Sequence, residues 1–258
     1  MKVISICPSN TEILAWLEKL DCLIAVDDYS DWPSEIKELP KLGPDLSIDM
    51  DKTESLQPDL VLASLSVPGM ERNIQELKRR GIPHIVLNPG SLADIAEDIR
   101  TVGKHLGDEE LGNRRADDFL REVDKYREET ATLKEFPSFY WEWWPKPVFT
   151  PGQSNWLTEI SKLAGGFNLF QDKEEASVQT DWEEVKNRNP DYIFMVWVGV
   201  QESKMKPELL LKRPDWPAMD AIRNNRIFVL EEALYCRPSP RLLEGLKKLK
   251  GIMASHPR

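Results

Sequence analysis

The sequence has little cysteine and histidine and no long hydrophobic run. Its 258 residues include three cysteines and three histidines. Cys7, Cys22 and Cys236 are odd in number and lack metal-ligand spacing, so we interpret them as free buried thiols. The scattered histidines predict no metal site. No stretch approaches about 18 consecutive apolar residues, so we expect no membrane insertion.

Positive charge and enzyme signatures are also scarce. The formal net charge is −10, and no basic stripe is present to replace phosphate counterions, which excludes nucleic acid as a partner. The sequence contains no phosphate-binding loop, no dinucleotide-binding turn and no nucleophile elbow. We therefore predict a protein that is not an enzyme and has no intrinsic cofactor.

The first residues predict a strand and not a secretory signal. Met1 to Ile6 lacks the basic region, the longer apolar core and the cleavage site that a signal needs. As the sequence stands, we expect a cytoplasmic protein. If an export segment has been removed, the expected location is extracytoplasmic.

One long predicted helix organises the chain, from Asp108 to about Lys134. The segment contains no proline, and its apolar residues recur at helical spacing among charged ones. We interpret it as a rigid helix (residues 107–135) that links an N-terminal lobe (1–106) to a C-terminal lobe (136–258). The alternative is a surface helix of one larger domain.

Both predicted lobes alternate strands with helices, which indicates α/β units with central parallel sheets. The halves also resemble each other, because a short acidic helix precedes Pro58-Asp59 and another precedes Pro190-Asp191. We interpret this similarity as a duplicated domain. Since ligands of open α/β sheets bind at the carboxyl ends of strands, we predict a ligand cleft between the lobes.

Aromatic side chains are the main candidates for ligand binding, since the chain has nine tryptophans. Their flat faces and polar tips suit a large, flat, partly polar ligand. Arg237 is a candidate for a ligand carboxylate, amide or phosphate, with a surface role as the alternative. The loops at the predicted cleft contain Asn10, Tyr29, Ser64, Trp143, Trp144, Phe149, Trp197 and Tyr235.

Four motifs in order carry a family resemblance: Ile6-Cys7-Pro8-Ser9-Asn10-Thr11-Glu12, Tyr29-Ser30-Asp31-Trp32-Pro33, Gln57-Pro58-Asp59-Leu60-Val61 and Ser239-Pro240-Arg241. Together they resemble the cobalamin/iron-siderophore/haem class of ABC-transporter substrate-binding proteins, and above all its vitamin B12-binding members. The resemblance implies the class III fold, in which two lobes joined by a long rigid helix hold the ligand in a cleft.

The resemblance further implies a monomeric solute-binding protein that holds cobalamin or a related corrinoid for an ABC permease. The first alternative is a ferric-siderophore or haem carrier, for which Tyr29 or Tyr235 would be the axial haem ligand. The second is a cytoplasmic corrinoid-handling protein or enzyme that is not coupled to a permease.

Specific positions follow from the same resemblance. Those that match corrinoid contacts of vitamin B12 binders are Tyr29, Trp143, Phe149 and Arg237. Asp51 and Glu183 match the carboxylates, one in each lobe, that dock on permease arginines. The chain departs from these relatives because Asp45, Ser64 and Ser177 stand where they carry tryptophan.

Overall fold

The computed structural model describes all 258 residues and divides into two compact units. Unit 1 comprises Met1–Leu120 and Pro238–Pro240, and unit 2 comprises Arg121–Arg237 and Arg241–Arg258. Each unit contains a parallel sheet, so the predicted two-lobed α/β fold class is confirmed. The three-part division at residues 106 and 135 stays a prediction. None of the helices combines the length and apolar character needed to cross a bilayer.

Unit 1 alternates strands and helices along the chain. Its elements are β1 (Val3–Ser5), α1 (Pro8–Trp16), β2 (Leu23–Val26), α2 (Met50–Ser55), β3 (Leu60–Ser64), α3 (Glu71–Arg79), β4 (His84–Leu87), α4 (Leu92–His105) and the first half of α5 (Glu109–Thr130). The four strands form a parallel sheet in the order β2-β1-β3-β4. Ile4, Val61 and Leu77 lie in its buried core, because parallel strands are covered on both faces.

The helix α5 is the long helix that the sequence predicts, shorter by four residues at its C-terminal end. It begins in unit 1 and ends in unit 2, since the border falls after Leu120. In unit 1 it packs closely on α4, because a Cβ atom at Gly103 would lie 2.5 Å from the Cα atom of Gly112. The indole of Trp16 donates to the carbonyl of Arg115 at 3.0 Å. Glycine packing and this hydrogen bond fix the start of α5 to unit 1.

Unit 2 contains two sheets. Its elements are β5 (Ser138–Glu142), β6 (Trp144–Pro145), β7 (Val148–Pro151), α6 (Trp156–Leu163), β8 (Phe167–Asn168), β9 (Ser177–Thr180), α7 (Trp182–Arg188), β10 (Tyr192–Met195), α8 (Asp220–Arg223), β11 (Ile227–Val229), α9 (Glu232–Tyr235) and α10 (Leu242–Ser255). The parallel sheet has the order β11-β10-β5-β8. A second, antiparallel sheet of order β6-β7-β9 was not predicted from the sequence.

The helices α2 and α7 begin in the same way. Each has an aspartate N-cap whose carboxylate accepts the N–H of the residue three positions on, Asp49 at 2.9 Å and Asp181 at 2.8 Å. Such a cap satisfies one of the free N–H groups of the first helical turn. Asp51 and Glu183 therefore occupy the same place, the second residue of their helices.

The Pro-Asp pairs that follow these helices are also equivalent. Asp59 accepts a hydrogen bond from the backbone N–H of Lys2 at 2.6 Å, and Asp191 accepts one from that of Ser138 at 2.8 Å. Each carboxylate thus fixes the start of a central strand, β1 in unit 1 and β5 in unit 2. The repeated capping and repeated strand contact support the interpretation of a duplicated domain.

Candidate functional site

In unit 1, Tyr29 projects from a turn that follows β2, and 53% of its surface is exposed. The turn is fixed by the buried carboxylate of Asp27, which accepts the backbone N–H groups of Tyr29 at 2.8 Å and of Ser30 at 3.1 Å. Burial raises the pKa of Asp27 to about 6, although the hydrogen bonds oppose this shift. An exposed phenol on a fixed turn has the geometry that a ligand contact needs.

Asn10 and Ser64 are buried in unit 1. The amide of Asn10, on α1, donates to the carbonyl of Ala63 at 3.1 Å. The hydroxyl of Ser64, at the end of β3, lies 2.8 Å from that of Ser66. Since both polar groups are satisfied inside the unit, their placement argues against a ligand contact. We revise their predicted role to packing between α1, β3 and the loop after β3.

In unit 2, the hairpin of β6 and β7 brings Trp143, Trp144 and Phe149 together. Trp144 is 41% exposed and lies directly opposite Phe149, while the backbone N–H of Trp143 donates to the carbonyl of Phe149 at 3.0 Å. The indole N–H of Trp143 is buried and has no hydrogen-bond partner. A buried donor without an acceptor costs about 1–3 kcal/mol, a cost that a bound acceptor would remove.

Trp197 is held at the end of the parallel sheet by a buried polar cluster. Its indole N–H donates to Glu142 Oε1 at 3.0 Å. The guanidinium of Arg213 donates to both carboxylate oxygens of Glu142, at 2.5 and 2.8 Å, and the hydroxyl of Tyr140 donates at 2.9 Å. The polar tip of Trp197 is therefore already bonded, and only its partly exposed ring is open to a ligand.

Glu142 and Arg213 are not among the site residues predicted from the sequence. The guanidinium carbon of Arg213 lies 4.3 Å from the ring centroid of Trp216 and 4.8 Å from that of Trp182, so two cation–π contacts support the buried pair. The available signal was a lone glutamate inside the apolar strand β5, between Trp141 and Trp143. A buried charge in such a strand requires a partner, but nothing in the sequence identifies which arginine supplies it.

Tyr235 belongs to the core of unit 2. It is fully buried, its hydroxyl donates to the carbonyl of Gly245 at 2.9 Å, and burial raises its pKa well above the ordinary value. This placement argues against the predicted ligand contact and against an axial haem ligand at this position.

Arg237 is also buried, with its guanidinium 3.4 Å from the carboxylate of Glu232. Any ligand contact of Arg237 has to coexist with this ion pair.

The two predicted docking carboxylates differ in their surroundings. Asp51 is exposed and lies 2.7 Å from the guanidinium of Arg80. Glu183 is also exposed and forms no ion pair with a basic residue of this chain.

The three cysteines are free thiols, Cys7 being buried and the other two partly buried. No group of three or more His, Cys, Asp or Glu side chains is placed to hold a metal ion.

Comparisons with known proteins give consistent matches over almost the whole chain. The family model described as periplasmic binding protein matches residues 3–234. The vitamin B12-binding protein of Vibrio parahaemolyticus is 30% identical over 245 residues, which cover 95% of this chain and 86% of that protein. The crystal structure of the periplasmic vitamin B12 binding protein BtuF of Vibrio cholerae has a TM-score of 0.80 and 26% identity, and the match covers 99% of this chain and 97% of that one.

A haem-binding protein shares the fold as well. The apo form of the periplasmic haem-binding protein RhuT from Roseiflexus sp. RS-1 has a TM-score of 0.85, with 100% of this chain and 99% of that one covered. Its sequence identity of 24% restricts the likeness to the fold. The fold therefore admits more than one class of flat ligand, and the choice among them depends on the side chains.

Proposed function

Since this chain belongs to the periplasmic binding protein family, we propose that it binds a corrinoid of the vitamin B12 type as the solute-binding component of an ABC uptake system. The family is one of solute-binding proteins, and we propose that this chain likewise binds and releases its ligand without chemical reaction. The observation that carries the proposal is the aromatic hairpin, with its unpaired buried indole N–H on Trp143.

The hairpin fits the chemistry of a corrinoid. Trp144 and Phe149 face each other across the strand pair and present flat apolar surface, which suits the face of a macrocycle. The peripheral amides of a corrin ring supply carbonyl oxygens, which are the acceptors that the indole of Trp143 lacks. Tyr29 is the candidate contact in unit 1. The 30% identity to a vitamin B12-binding protein supports this choice of ligand.

Titration with cyanocobalamin tests the proposal, with binding followed by calorimetry and by quenching of tryptophan fluorescence. We expect saturable binding at about 10 µM protein or below. The variant Trp144→Ala should weaken binding about 3- to 10-fold, the range expected for loss of an aromatic contact. Phe136→Ala is the matched control, because Phe136 has the same 41% exposure but precedes the opposite end of β5.

Two outcomes would contradict this proposal. The first is the absence of cyanocobalamin binding to the wild-type protein at that concentration. The second is an equal effect of Trp144→Ala and Phe136→Ala, which would remove the hairpin from the ligand site. The variant Trp143→Phe adds a sharper test, since it keeps an aromatic ring but removes the indole donor. We expect it to bind cyanocobalamin about 2- to 10-fold more weakly than the wild type.

A haem or ferric-siderophore ligand is the second candidate function. It is favoured by the exposure of Tyr29, the one predicted axial ligand that is not buried in a core. Titration with haemin should then shift the Soret band, and Tyr29→Phe should abolish that shift. A siderophore usually requires several cationic side chains, whereas Arg237 is already paired with Glu232.

We propose further that Asp51 and Glu183 dock on basic residues of an ABC permease, as expected from the family resemblance. Such coupling requires an extracytoplasmic location and is excluded by a cytoplasmic one. Both locations stay predictions. Turnover of a corrinoid by the purified protein would instead favour the remaining alternative, a cytoplasmic corrinoid-handling protein or enzyme that is not coupled to a permease.

A further inference from the structure

The carboxyl end of the parallel sheet in unit 2 places Trp197 beside the aromatic hairpin. The strands β5 and β10 are neighbours and run parallel. Their pairing continues past the end of β10, because the N–H of Val196 donates to the carbonyl of Glu142 at 3.0 Å. The N–H of Val198 then donates to the carbonyl of Trp143 at 3.1 Å. Trp197 therefore lies at the edge of the sheet where open α/β folds bind their ligands.

Trp197 is held through both its backbone and its side chain. Its backbone N–H donates to the sulfur of Met205 at 3.3 Å, and its indole N–H donates to Glu142 Oε1 at 3.0 Å. The ring packs against the buried core of unit 2 but keeps part of its surface exposed. An anchored ring with open surface is a preformed contact, which loses little side-chain freedom when a ligand binds.

The carboxylate of Glu142 has no spare acceptor site. It accepts two hydrogen bonds from Arg213, one from Tyr140 and one from Trp197, which fill the roughly four lone-pair sites of a carboxylate. Burial and the charge of Glu142 raise the pKa of Tyr140 well above its ordinary value, so the hydroxyl keeps the proton that it donates. A fully satisfied buried network is rigid, and the indole of Trp197 is part of it.

The tryptophans of the hairpin are in a different state. The indole N–H of Trp143 is buried without an acceptor, and Trp144 is 41% exposed. The hairpin thus supplies an open ring and a donor that a ligand can use. Trp197 supplies a ring whose donor is already bonded within the protein.

We propose that Glu142 is a positioning residue of the ligand site, which holds the ring of Trp197 in its binding orientation without itself touching the ligand. Arg213 and Tyr140 act through Glu142. Because the polar edge of the Trp197 indole is bonded to a buried carboxylate, this position favours a ligand with a flat apolar face. The assignment rests on the proposed function, since the orientation of the ring matters only where a ligand lies against it.

A double-mutant cycle of Glu142→Gln and Trp197→Phe tests this role by calorimetric titration with cyanocobalamin. Trp197→Phe keeps an aromatic ring but removes the indole donor, and a glutamine amide has one oxygen to accept what the carboxylate accepts with two. Each single change should weaken binding about 3- to 10-fold, as for loss of an aromatic contact. In the Trp197→Phe background, Glu142→Gln should change the affinity by less than about 2-fold, because its effect passes through the indole.

Trp141→Phe is the matched control. Trp141 is fully buried in the core of unit 2, and its indole N–H donates to the hydroxyl of Ser161 at 2.9 Å. This variant loses a comparable indole bond, so it should lower the free energy of unfolding but leave the affinity for cyanocobalamin unchanged. Each variant is titrated at a temperature at which its circular dichroism spectrum matches that of the wild type.

A measurement without ligand tests the anchoring in the wild-type protein, even if Glu142→Gln fails to fold. The heteronuclear ¹H–¹⁵N NOE of each indole N–H reports ring motion on the picosecond-to-nanosecond timescale. We expect the value for Trp197 to equal that for Trp141 and to exceed that for Trp144. A Trp197 indole as mobile as that of Trp144 would overturn the proposal.

Two results of the titrations would also overturn it. One is full affinity of Glu142→Gln for cyanocobalamin. The other is an equal loss from Glu142→Gln in the wild-type and Trp197→Phe backgrounds, which would show that Glu142 acts independently of the indole. Failure of the wild-type protein to bind cyanocobalamin is a separate result, which contradicts the proposed ligand and leaves the NOE of Trp197 to decide whether its ring is held.

Discussion

Removal of the charge from Glu142 tests the buried cluster behind Trp197. The side chains of Glu142 and Arg213 are 0% and 3% exposed. The variant Glu142→Gln leaves the guanidinium buried without a counter-charge, and breaking such a pair costs about 3–5 kcal/mol. Because whole domains are stable by about 5–15 kcal/mol, we expect a large loss in the free energy of unfolding. The stacked tryptophans retain part of the cation's stabilisation, which keeps the loss within that range.

The assay is urea unfolding followed by tryptophan fluorescence. Trp16 and Trp32 are in unit 1 and the other seven of the nine tryptophans are in unit 2, so the signal reports mainly on unit 2. Glu122→Gln is the matched control, because it removes the same charge from an exposed ion pair in unit 2 and should cost less than about 1 kcal/mol.

A double-mutant cycle with Arg213→Met measures the coupling of the pair. Removing both charges also removes the unpaired cation that Glu142→Gln leaves buried. The double variant should therefore lose about 0.5–3 kcal/mol less than the sum of the two single losses. Additive losses, or a loss below about 1 kcal/mol for Glu142→Gln, would refute the reasoning that this ion pair orders the end of the sheet.

Three further predictions concern other parts of the chain. Burial and two nearby acids raise the pKa of Asp98 to about 7. The native state then binds an extra proton between about pH 4 and 7, so the free energy of unfolding should fall as pH rises through this window. The variant Asp98→Asn should reduce that fall, as measured by urea unfolding at stepped pH. Gly103→Ala should destabilise the protein by about 1–3 kcal/mol, since the new Cβ atom would meet α5. Gly251→Ala should instead stabilise it by up to about 1 kcal/mol, because a Cβ atom at this position of α10 would meet no neighbour. Unfolding followed by circular dichroism measures both effects. Asp51→Arg combined with Glu183→Arg should abolish permease coupling in a transport assay and leave cyanocobalamin affinity unchanged; a loss of affinity would show that these residues are misplaced.

Local signals predicted the regular elements of the fold well. Both units alternate strands with helices as predicted, and the long helix differs from the prediction mainly at its C-terminal end. Periodicity and turn residues determine such elements over a few positions. The antiparallel sheet of β6, β7 and β9 was missed, because β9 (Ser177–Thr180) is short, polar and distant in sequence from the hairpin that it completes.

The candidate site was harder to predict than the fold. From the sequence, Trp143 and Tyr235 are both expected in loops at the ends of strands. The structure leaves the indole N–H of Trp143 without an acceptor, whereas it bonds the hydroxyl of Tyr235 to Gly245. This difference arises from long-range packing, which no local pattern encodes.

The two duplicated units repeat the same local contacts but differ around Asp51 and Glu183, the two acids proposed to dock on a permease. Each unit repeats the aspartate N-cap and the carboxylate that fixes its central strand. The neighbours of the repeated acids are not equivalent, since Asp51 contacts Arg80 and Glu183 borders an open groove. The capping bonds lie within the repeated helix, but Arg80 follows α3 and the groove requires the hairpin of unit 2. Duplication therefore conserves the helix caps and the carboxylate contacts that fix the central strands, while the surroundings of Asp51 and Glu183 have diverged.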